Sequence, residues 1–190
     1  ASAATFRLAQ SLQRQGKYAQ AIAKYQSFLE SSPNHPLRDE TNYQLGKSFY
    51  ELRQYPQAAQ AFASVKKGAS VEAAYIGLGN AYYNQKKYPE AVKAYQQLIS
   101  SYPKSPLLAE AHFWSGWAYF QQVEQSEIPQ GGRTYDASYT AFERVLSVGS
   151  TGNFQDKAQY QMAEIRYRQQ NYNAALENYQ KVVQLYGNGE

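Results

Sequence analysis

The sequence predicts an all-α fold, a right-handed superhelical α-solenoid of about five helix–turn–helix units. The first observation is a small residue that recurs every 33 to 47 positions. These residues are Ala9, Gly46, Gly79, Gly116 and Ala163. The second is a tyrosine that follows each of them and begins an apolar stripe. Self-similarity at such a period is the signature of a repeat architecture, in which stacked units bury a continuous core.

The tyrosines predict where the second helix of each unit begins. They are Tyr18, Tyr55, Tyr88, Tyr135 and Tyr172. Four follow the small residue by nine positions, and Tyr135 follows it by 19. Small or apolar residues recur three, seven and ten positions after each tyrosine, as in Ala91, Tyr95 and Leu98. This spacing marks one helix face, and the small residue on the first helix is expected to meet the alanine on the second.

Turn residues place the unit boundaries. Pro56 and Pro89 suit the first turn of a second helix, while Pro33 and Pro103 follow second helices that end. The predicted units are approximately 2–35, 39–71, 72–105, 109–152 with an inserted loop 122–134, and 156–189, in a single domain 1–190. The insertion has the composition of an irregular loop, with Pro129, Gly131 and Gly132. It is either a tolerated surface excursion or a flap beside the fourth unit.

The third unit carries a family resemblance. It reads Ala-Tyr-Ile-Gly-Leu-Gly-Asn-Ala-Tyr-Tyr from Ala74, then Tyr-Pro-Glu-Ala from Tyr88, and closes at Pro103. This resembles the tetratricopeptide repeat (TPR) family, which implies about five TPR helix–turn–helix units. The fourth unit departs by its insertion, and the fifth has Arg166 at a normally apolar position. The Ser-Pro and Tyr-Pro junctions at Ser32 and Tyr102 are similar to those of bacterial cell-envelope TPR proteins. Those proteins include the Tol-Pal-associated periplasmic coordinator and the outer-membrane barrel-assembly lipoprotein. Their likeness favours a periplasmic or outer-membrane-associated location over a cytoplasmic one.

Composition and motifs argue against several function classes. The net charge of +4 is dispersed along the chain, whereas nucleic-acid binding usually needs a clustered basic stripe. There are no cysteines and two histidines, which leaves little material for a metal centre. No apolar run approaches the length of a membrane span. Gly46-Lys47-Ser48 lacks the upstream glycine of a phosphate loop. We therefore predict a noncatalytic protein without cofactor or metal.

The resemblance implies a concave groove lined by the first helices, at positions −3, +1, +4 and +5 from the small residue. The candidate partner-binding residues are Phe6, Tyr43, Lys47, Tyr50, Asn80, Tyr83, Asn84, Phe113, Trp117, Phe120, Tyr160 and Tyr167. Most are aromatic, and tyrosine and tryptophan dominate binding hot spots. The rings predict an aromatic-lined groove for a partner protein or peptide segment, unless they pack within the repeats. Lys47 and Asn80 provide only part of the carboxylate clamp of some TPR domains. Self-assembly through the ends of the solenoid and binding of peptidoglycan or other carbohydrate stay open as alternatives.

Overall fold

The computed structural model describes residues 2–128, 133–148 and 154–186. This part of the chain contains ten α-helices and no strand, which confirms the predicted all-α class. The helices are α1 (Ser2–Arg14), α2 (Tyr18–Ser31), α3 (Arg38–Glu51), α4 (Tyr55–Ala63), α5 (Val71–Asn84), α6 (Tyr88–Ser101), α7 (Leu108–Glu124), α8 (Asp136–Ser147), α9 (Gln155–Arg168) and α10 (Tyr172–Tyr186).

The chain forms two compact units, Ala1–Ala94 and Tyr95–Glu190, whose boundary falls inside α6. In the first unit α1 packs on α2, α3 on α4, and each second helix also packs on the next first helix, α2 on α3 and α4 on α5. In the second unit α7 packs on α8, α8 on α9, and α9 on α10. Within each unit these consecutive helices are therefore spatial neighbours, as helical repeats require. The single domain 1–190 stays a prediction.

One turn recurs between the two helices of a pair. Gly16, Arg53, Lys86 and Gln170 each lie two positions before the helix-starting tyrosine and have φ of 73°, 57°, 60° and 59°. The next amide donates back into the first helix, as from Gln54 N to Phe49 O at 2.9 Å and from Lys87 N to Tyr82 O at 3.0 Å. This left-handed residue with a back-donated amide is a Schellman motif, which satisfies carbonyls at the helix end. Four of the five predicted helix-starting tyrosines, Tyr18, Tyr55, Tyr88 and Tyr172, are confirmed as the first residues of their helices.

The small residues make room for aromatic rings. A Cβ on Gly46 would lie 2.7 Å from Phe62 Cδ1, and one on Gly116 would lie 2.7 Å from Phe142 Cε1. Both rings occupy the position seven residues after the helix-starting tyrosine. The expected close approach of the residue three positions after the tyrosine is confirmed at Gly116, whose carbonyl accepts a hydrogen bond from the Ser138 hydroxyl at 2.8 Å. The missing side chain admits a large ring, so a first and a second helix approach closely across it.

The insertion in the fourth pair differs in part from the predicted loop. Helix α7 runs to Glu124, so the first residues of 122–134 are helical. Arg133 donates from Nε to the carbonyl of Ile128 at 2.9 Å. Tyr135 donates to Glu124 Oε1 at 2.5 Å, and Arg133 pairs with Glu124 at 3.4 Å. Pro129, Gly131 and Gly132 lie outside the described residues, as do 149–153 and 187–190 at the ends of the last two predicted units.

Candidate partner-binding surface

A cleft opens between α1 and α3, the first helices of the first two pairs. It has a volume of about 430 Å³ and is lined by Gln10, Gln13, Arg14, Tyr18, Gln44, Lys47 and Glu51. Five of these come from +1, +4 or +5 positions, where the sequence predicts a groove. Helix α1 supplies one wall and α3 the other. The cleft is lined mainly by polar side chains, so in the first unit the groove differs from the aromatic one predicted.

Hydrogen bonds fix the floor of this cleft. Gln13 donates from Nε2 to the carbonyl of Gln44 at 3.2 Å and accepts a hydrogen bond from the Tyr25 hydroxyl at 2.8 Å. Burial is the main cause that raises the pKa of Tyr25, so this phenol stays a donor at neutral pH. Gln13 thus joins α1, α2 and α3. A floor held in this way positions the rim without further ordering cost on binding.

The rim of the cleft is charged and open to solvent. Arg14, Lys47 and Glu51 are exposed, and none of them takes part in the ion pairs of residues 2–128, 133–148 and 154–186. Lys47 Nζ lies 5.6 Å from the centroid of the Tyr43 ring. Two cations and one anion can pair with charges of a bound chain, and the glutamines can both donate and accept.

The rings at position −3 pack against the second helix of their own pair. Phe6 lies 6.0 Å from Tyr25 and 5.9 Å from Phe28. Tyr43 lies 6.0 Å from Phe62, and Tyr160 lies 5.9 Å from Tyr179. Phe6 is buried, whereas Tyr43 is half-buried and Tyr160 exposed. The prediction that Phe6 lines an open groove is wrong, because its ring fills the space between α1 and α2.

Phe113 and Phe120 are also core residues. Phe113 lies 5.7 Å from Phe142, and Phe120 lies 5.3 Å from Tyr135. Both belong to the buried cluster of the second unit. Their predicted role as groove rings needs the same correction as that of Phe6, because the helix of the following tyrosine covers them.

The rings at position +4 form a recurring pair with the tyrosine that begins the next helix. Centroids lie 5.3 Å apart in Tyr50–Tyr55, Tyr83–Tyr88 and Tyr167–Tyr172. Their interplanar angles of 66°, 65° and 67° give the edge-to-face geometry that aromatic pairs prefer. The pair closes the turn between two helices, so much of the aromatic periodicity in the sequence serves packing. Tyr50 and Tyr83 are half-buried, and Tyr167 is exposed.

Asparagine links two neighbouring first helices in the first unit. Asn84 donates from Nδ2 to the Tyr50 hydroxyl at 2.8 Å and to the carbonyl of Asn80 at 2.8 Å. Asn84 is exposed and Asn80 half-buried. Burial is the largest cause that raises the pKa of Tyr50. This contact joins α5 to α3 beside Lys47, and it positions the surface.

The second unit presents exposed rings on α9. Tyr160 and Tyr167 lie seven residues apart on one helix face, and both are exposed. The charge of Glu164 is the largest cause that raises the pKa of Tyr160. Trp117 on α7 is half-buried, 5.6 Å from Phe120 and 6.2 Å from Phe142. Accessible aromatic surface among the second unit's candidates therefore lies mainly on Tyr160 and Tyr167.

Sequence reasoning missed two features near these surfaces. Gln44 lines the cleft, although it lies two positions before the small residue, outside the family's groove positions. In the second unit Gln159 donates from Nε2 to Asn178 Oδ1 at 2.6 Å, and both residues are buried. The sequence contains one indication of this hydrogen bond. Asn178 is polar, whereas Ala61 and Ala141 occupy the equivalent place in α4 and α8.

Comparison with family models identifies the repeats. Three models described as "Tetratricopeptide repeat" match residues 1–67, 43–106 and 157–189. The chain belongs to the tetratricopeptide repeat family. A comparison with curated proteins gives no match.

Solved structures of TPR proteins share the fold. MamA (41-end) from Desulfovibrio magneticus RS-1 is 18% identical over 100% of this chain and 97% of that chain, with a TM-score of 0.77. A tetratricopeptide repeat protein from Parabacteroides merdae is 15% identical over 99% of this chain and 68% of that chain, with a TM-score of 0.77. The apo form of RapI is 15% identical over 98% of this chain and 54% of that chain, with a TM-score of 0.81.

These likenesses confirm an all-α solenoid of TPR helix pairs. Repeat folds of this kind present extended surfaces for other proteins. The chain is a protein–protein interaction module. None of the helices in the described part of the chain has the length and the apolar character that a membrane span requires.

Proposed function

We propose that this module holds an extended segment of a partner polypeptide, with the cleft between α1 and α3 as its main docking place in the first unit. The observation that carries the proposal is the polar cleft of about 430 Å³ with a hydrogen-bonded floor. An extended peptide brings backbone donors and acceptors that need partners once they leave water. Gln10 and Gln44 offer both kinds of group.

The charges of the rim favour a segment with an acidic side chain. Arg14 and Lys47 line the cleft together with a single acid, Glu51. Arginine binds carboxylates through two parallel hydrogen bonds, and lysine acts as a point charge. A segment with one net negative charge therefore neutralises the cleft, whereas a basic segment faces repulsion.

Peptide selection with a charge-matched control tests this function. Peptides are selected from a random library on the 190-residue chain, and their affinities are measured by fluorescence anisotropy. We expect acidic residues to be enriched, and Arg14→Gln/Lys47→Gln to weaken binding about tenfold or more, as for the loss of charge-assisted bonds of about 1.5 kcal/mol or more. The control Lys24→Gln/Lys67→Gln removes two exposed cations from elsewhere in the first unit and leaves binding unchanged. Equal loss in both variants, or failure to select any peptide, refutes the proposal.

The exposed rings of α9 supply a second docking element for the same role. Tyr160→Ala/Tyr167→Ala removes accessible aromatic area, and we expect weaker binding of peptides that carry apolar residues. Phe113→Ala is unsuitable for this purpose, because removing a buried ring costs about 3–5 kcal/mol of stability. Peptidoglycan fragments serve as the comparison ligand. Binding of those fragments with no peptide bound would favour the carbohydrate alternative.

A further inference from the structure

Helix α1 exposes a face that is buried in α3 and α9. Ala4, Leu8 and Ser11 lie at i, i+4 and i+7 and form one stripe. All three are exposed, and Leu8 has an exposed fraction of 48%. The equivalent stripe in α3 is Thr41, Leu45 and Ser48, with exposed fractions of 0%, 6% and 0%. Helix α2 packs on α3, so this stripe is where a preceding second helix lies.

The same stripe is buried in the second unit. On α9 it consists of Ala158, Met162 and Ile165, all buried, and α8 packs on α9. A preceding second helix therefore covers this stripe at the two junctions compared.

Helix α10 exposes the complementary face. Leu176 and Val183 lie seven residues apart on one side of the helix, with exposed fractions of 57% and 70%. Counted from the helix-starting tyrosine, they correspond to Ile22 and Leu29 in α2. Ile22 has an exposed fraction of 8%, and Leu29 is half-buried. The face of α2 that receives α3 is thus present on α10, and no described helix of the chain lies over it.

We propose that α10 of one copy packs against α1 of a second copy, in the way that α2 packs against α3 within the chain. The two stripes match in size and order, because Ala4-Leu8-Ser11 on α1 corresponds to Thr41-Leu45-Ser48 on α3. Leu176 and Val183 likewise replace Ile22 and Leu29 with branched aliphatic side chains. The α2–α3 junction inside each copy already joins two such faces. A second copy is the occupant that brings the matching face to each exposed one.

This contact is heterologous, because it joins two different faces. A copy of the 190-residue chain that has used its α10 face still has an exposed α1 stripe, so association continues head to tail and produces open-ended oligomers. The contact does not use Arg14 or Lys47, and it stands independently of peptide binding in the cleft.

Two single substitutions test the contact. Leu8→Glu and Leu176→Glu each place a charge on one face, and both side chains are exposed, so neither change disturbs the buried core. The milder changes Leu8→Gln and Leu176→Gln repeat the test without added charge. Sedimentation velocity of the 190-residue chain, from about 10 μM to about 1 mM, covers the range of weak association. We expect concentration-dependent growth for the wild type and about tenfold or greater weakening for each variant.

Mixing the two glutamate variants gives the sharper result. The Leu8→Glu chain keeps an intact α10 face and the Leu176→Glu chain keeps an intact α1 face, so an equimolar mixture forms a 1:1 dimer and nothing larger. Leu52→Glu, at an exposed leucine outside both stripes, is the control that keeps wild-type association. A wild type that stays monomeric overturns the proposal. So does growth of the Leu8→Glu chain alone with the wild-type concentration dependence, which requires a contact that does not use the α1 stripe, or a mixture that associates no more than either variant alone.

Discussion

Replacing Gly46 with alanine tests how closely α3 and α4 approach each other. The added Cβ would lie 2.7 Å from Phe62 Cδ1 and 2.8 Å from Cε1, whereas carbon atoms in contact lie about 3.5–4.0 Å apart. The ring must therefore move by about 1 Å. On its other side, a Cβ on Gly77 of α5 would lie 2.6 Å from Phe62 Cζ. A ring that retreats from α3 thus approaches α5, and the strain is not easily relieved.

Two opposing terms set the size of this effect. Alanine is better than glycine inside a helix by about 1 kcal/mol. Overpacking a core costs about 1–3 kcal/mol, and the upper part of that range applies because Phe62 is buried between two helices. We expect Gly46→Ala to lower the free energy of unfolding by about 1–2 kcal/mol. For a chain of this size, the melting temperature falls by about 2–8 °C.

A double substitution separates strain from other causes. Phe62→Leu removes the ring and leaves a cavity, so it is destabilising alone. Combined with Gly46→Ala, it removes the atoms that the new Cβ meets. The double variant should therefore be more stable than the sum of the single losses predicts. Urea unfolding followed by far-UV circular dichroism gives the four values. A Gly46→Ala chain as stable as the wild type, or additive losses, would refute the close approach.

Three further predictions follow from local geometry. Asn178→Ala leaves the buried Gln159 amide without its partner and should cost about 1–3 kcal/mol, whereas adding Gln159→Leu should recover most of the loss, as urea unfolding will measure. Arg53→Gly should raise the melting temperature by a few degrees, because left-handed φ costs a non-glycine residue about 1 kcal/mol; no gain would contradict the turn geometry. Burial, and then the charge of Arg144, lower the pKa of His112 below its ordinary 6.5. The unfolded chain therefore binds the proton more readily than the folded chain. The stability that neutral His112 contributes is complete above about pH 6.5 and is lost as the pH falls. Stability should fall less steeply in His112→Gln than in wild type between about pH 7.5 and 5.5, and parallel profiles would exclude this role.

The helix pairs could be predicted from the sequence because their signals are local. A tyrosine followed by apolar residues at +3, +7 and +10 defines a helix face without knowledge of any neighbour. The turn before each tyrosine needs one residue at positive φ. Glycine adopts this conformation readily, so Gly16 indicates the turn directly. Arg53, Lys86 and Gln170 adopt the same conformation without that signal, yet the tyrosine that follows marks the position.

The partners of individual rings could not be predicted in the same way. Both −3 and +4 rings face the second helix of their own pair, but spacing alone does not distinguish that face from the open one. Phe6 and Phe113 show the difficulty, because each has the family position of a groove residue and yet is buried. Most residues of the cleft occupy predicted groove positions, but its floor could not be predicted, since Gln13 forms it only through hydrogen bonds to Tyr25 and Gln44.

The burial of rings at groove positions and the polar character of the cleft have one physical cause. The same cause indicates where a partner should be sought. A TPR helix pair needs large side chains to fill the space beside a glycine, and rings such as Phe62 and Phe142 supply that volume. In the first unit the aromatic residues at the groove positions are then used in contacts with other rings and have little area left for a partner. In the first unit, what remains accessible at the groove positions of the first helices is mainly the polar set at +1 and +5. We therefore expect affinity in the first unit to depend on Arg14, Lys47 and the glutamine amides more than on rings, so that charge substitutions there outweigh ring substitutions at Tyr50 or Tyr83.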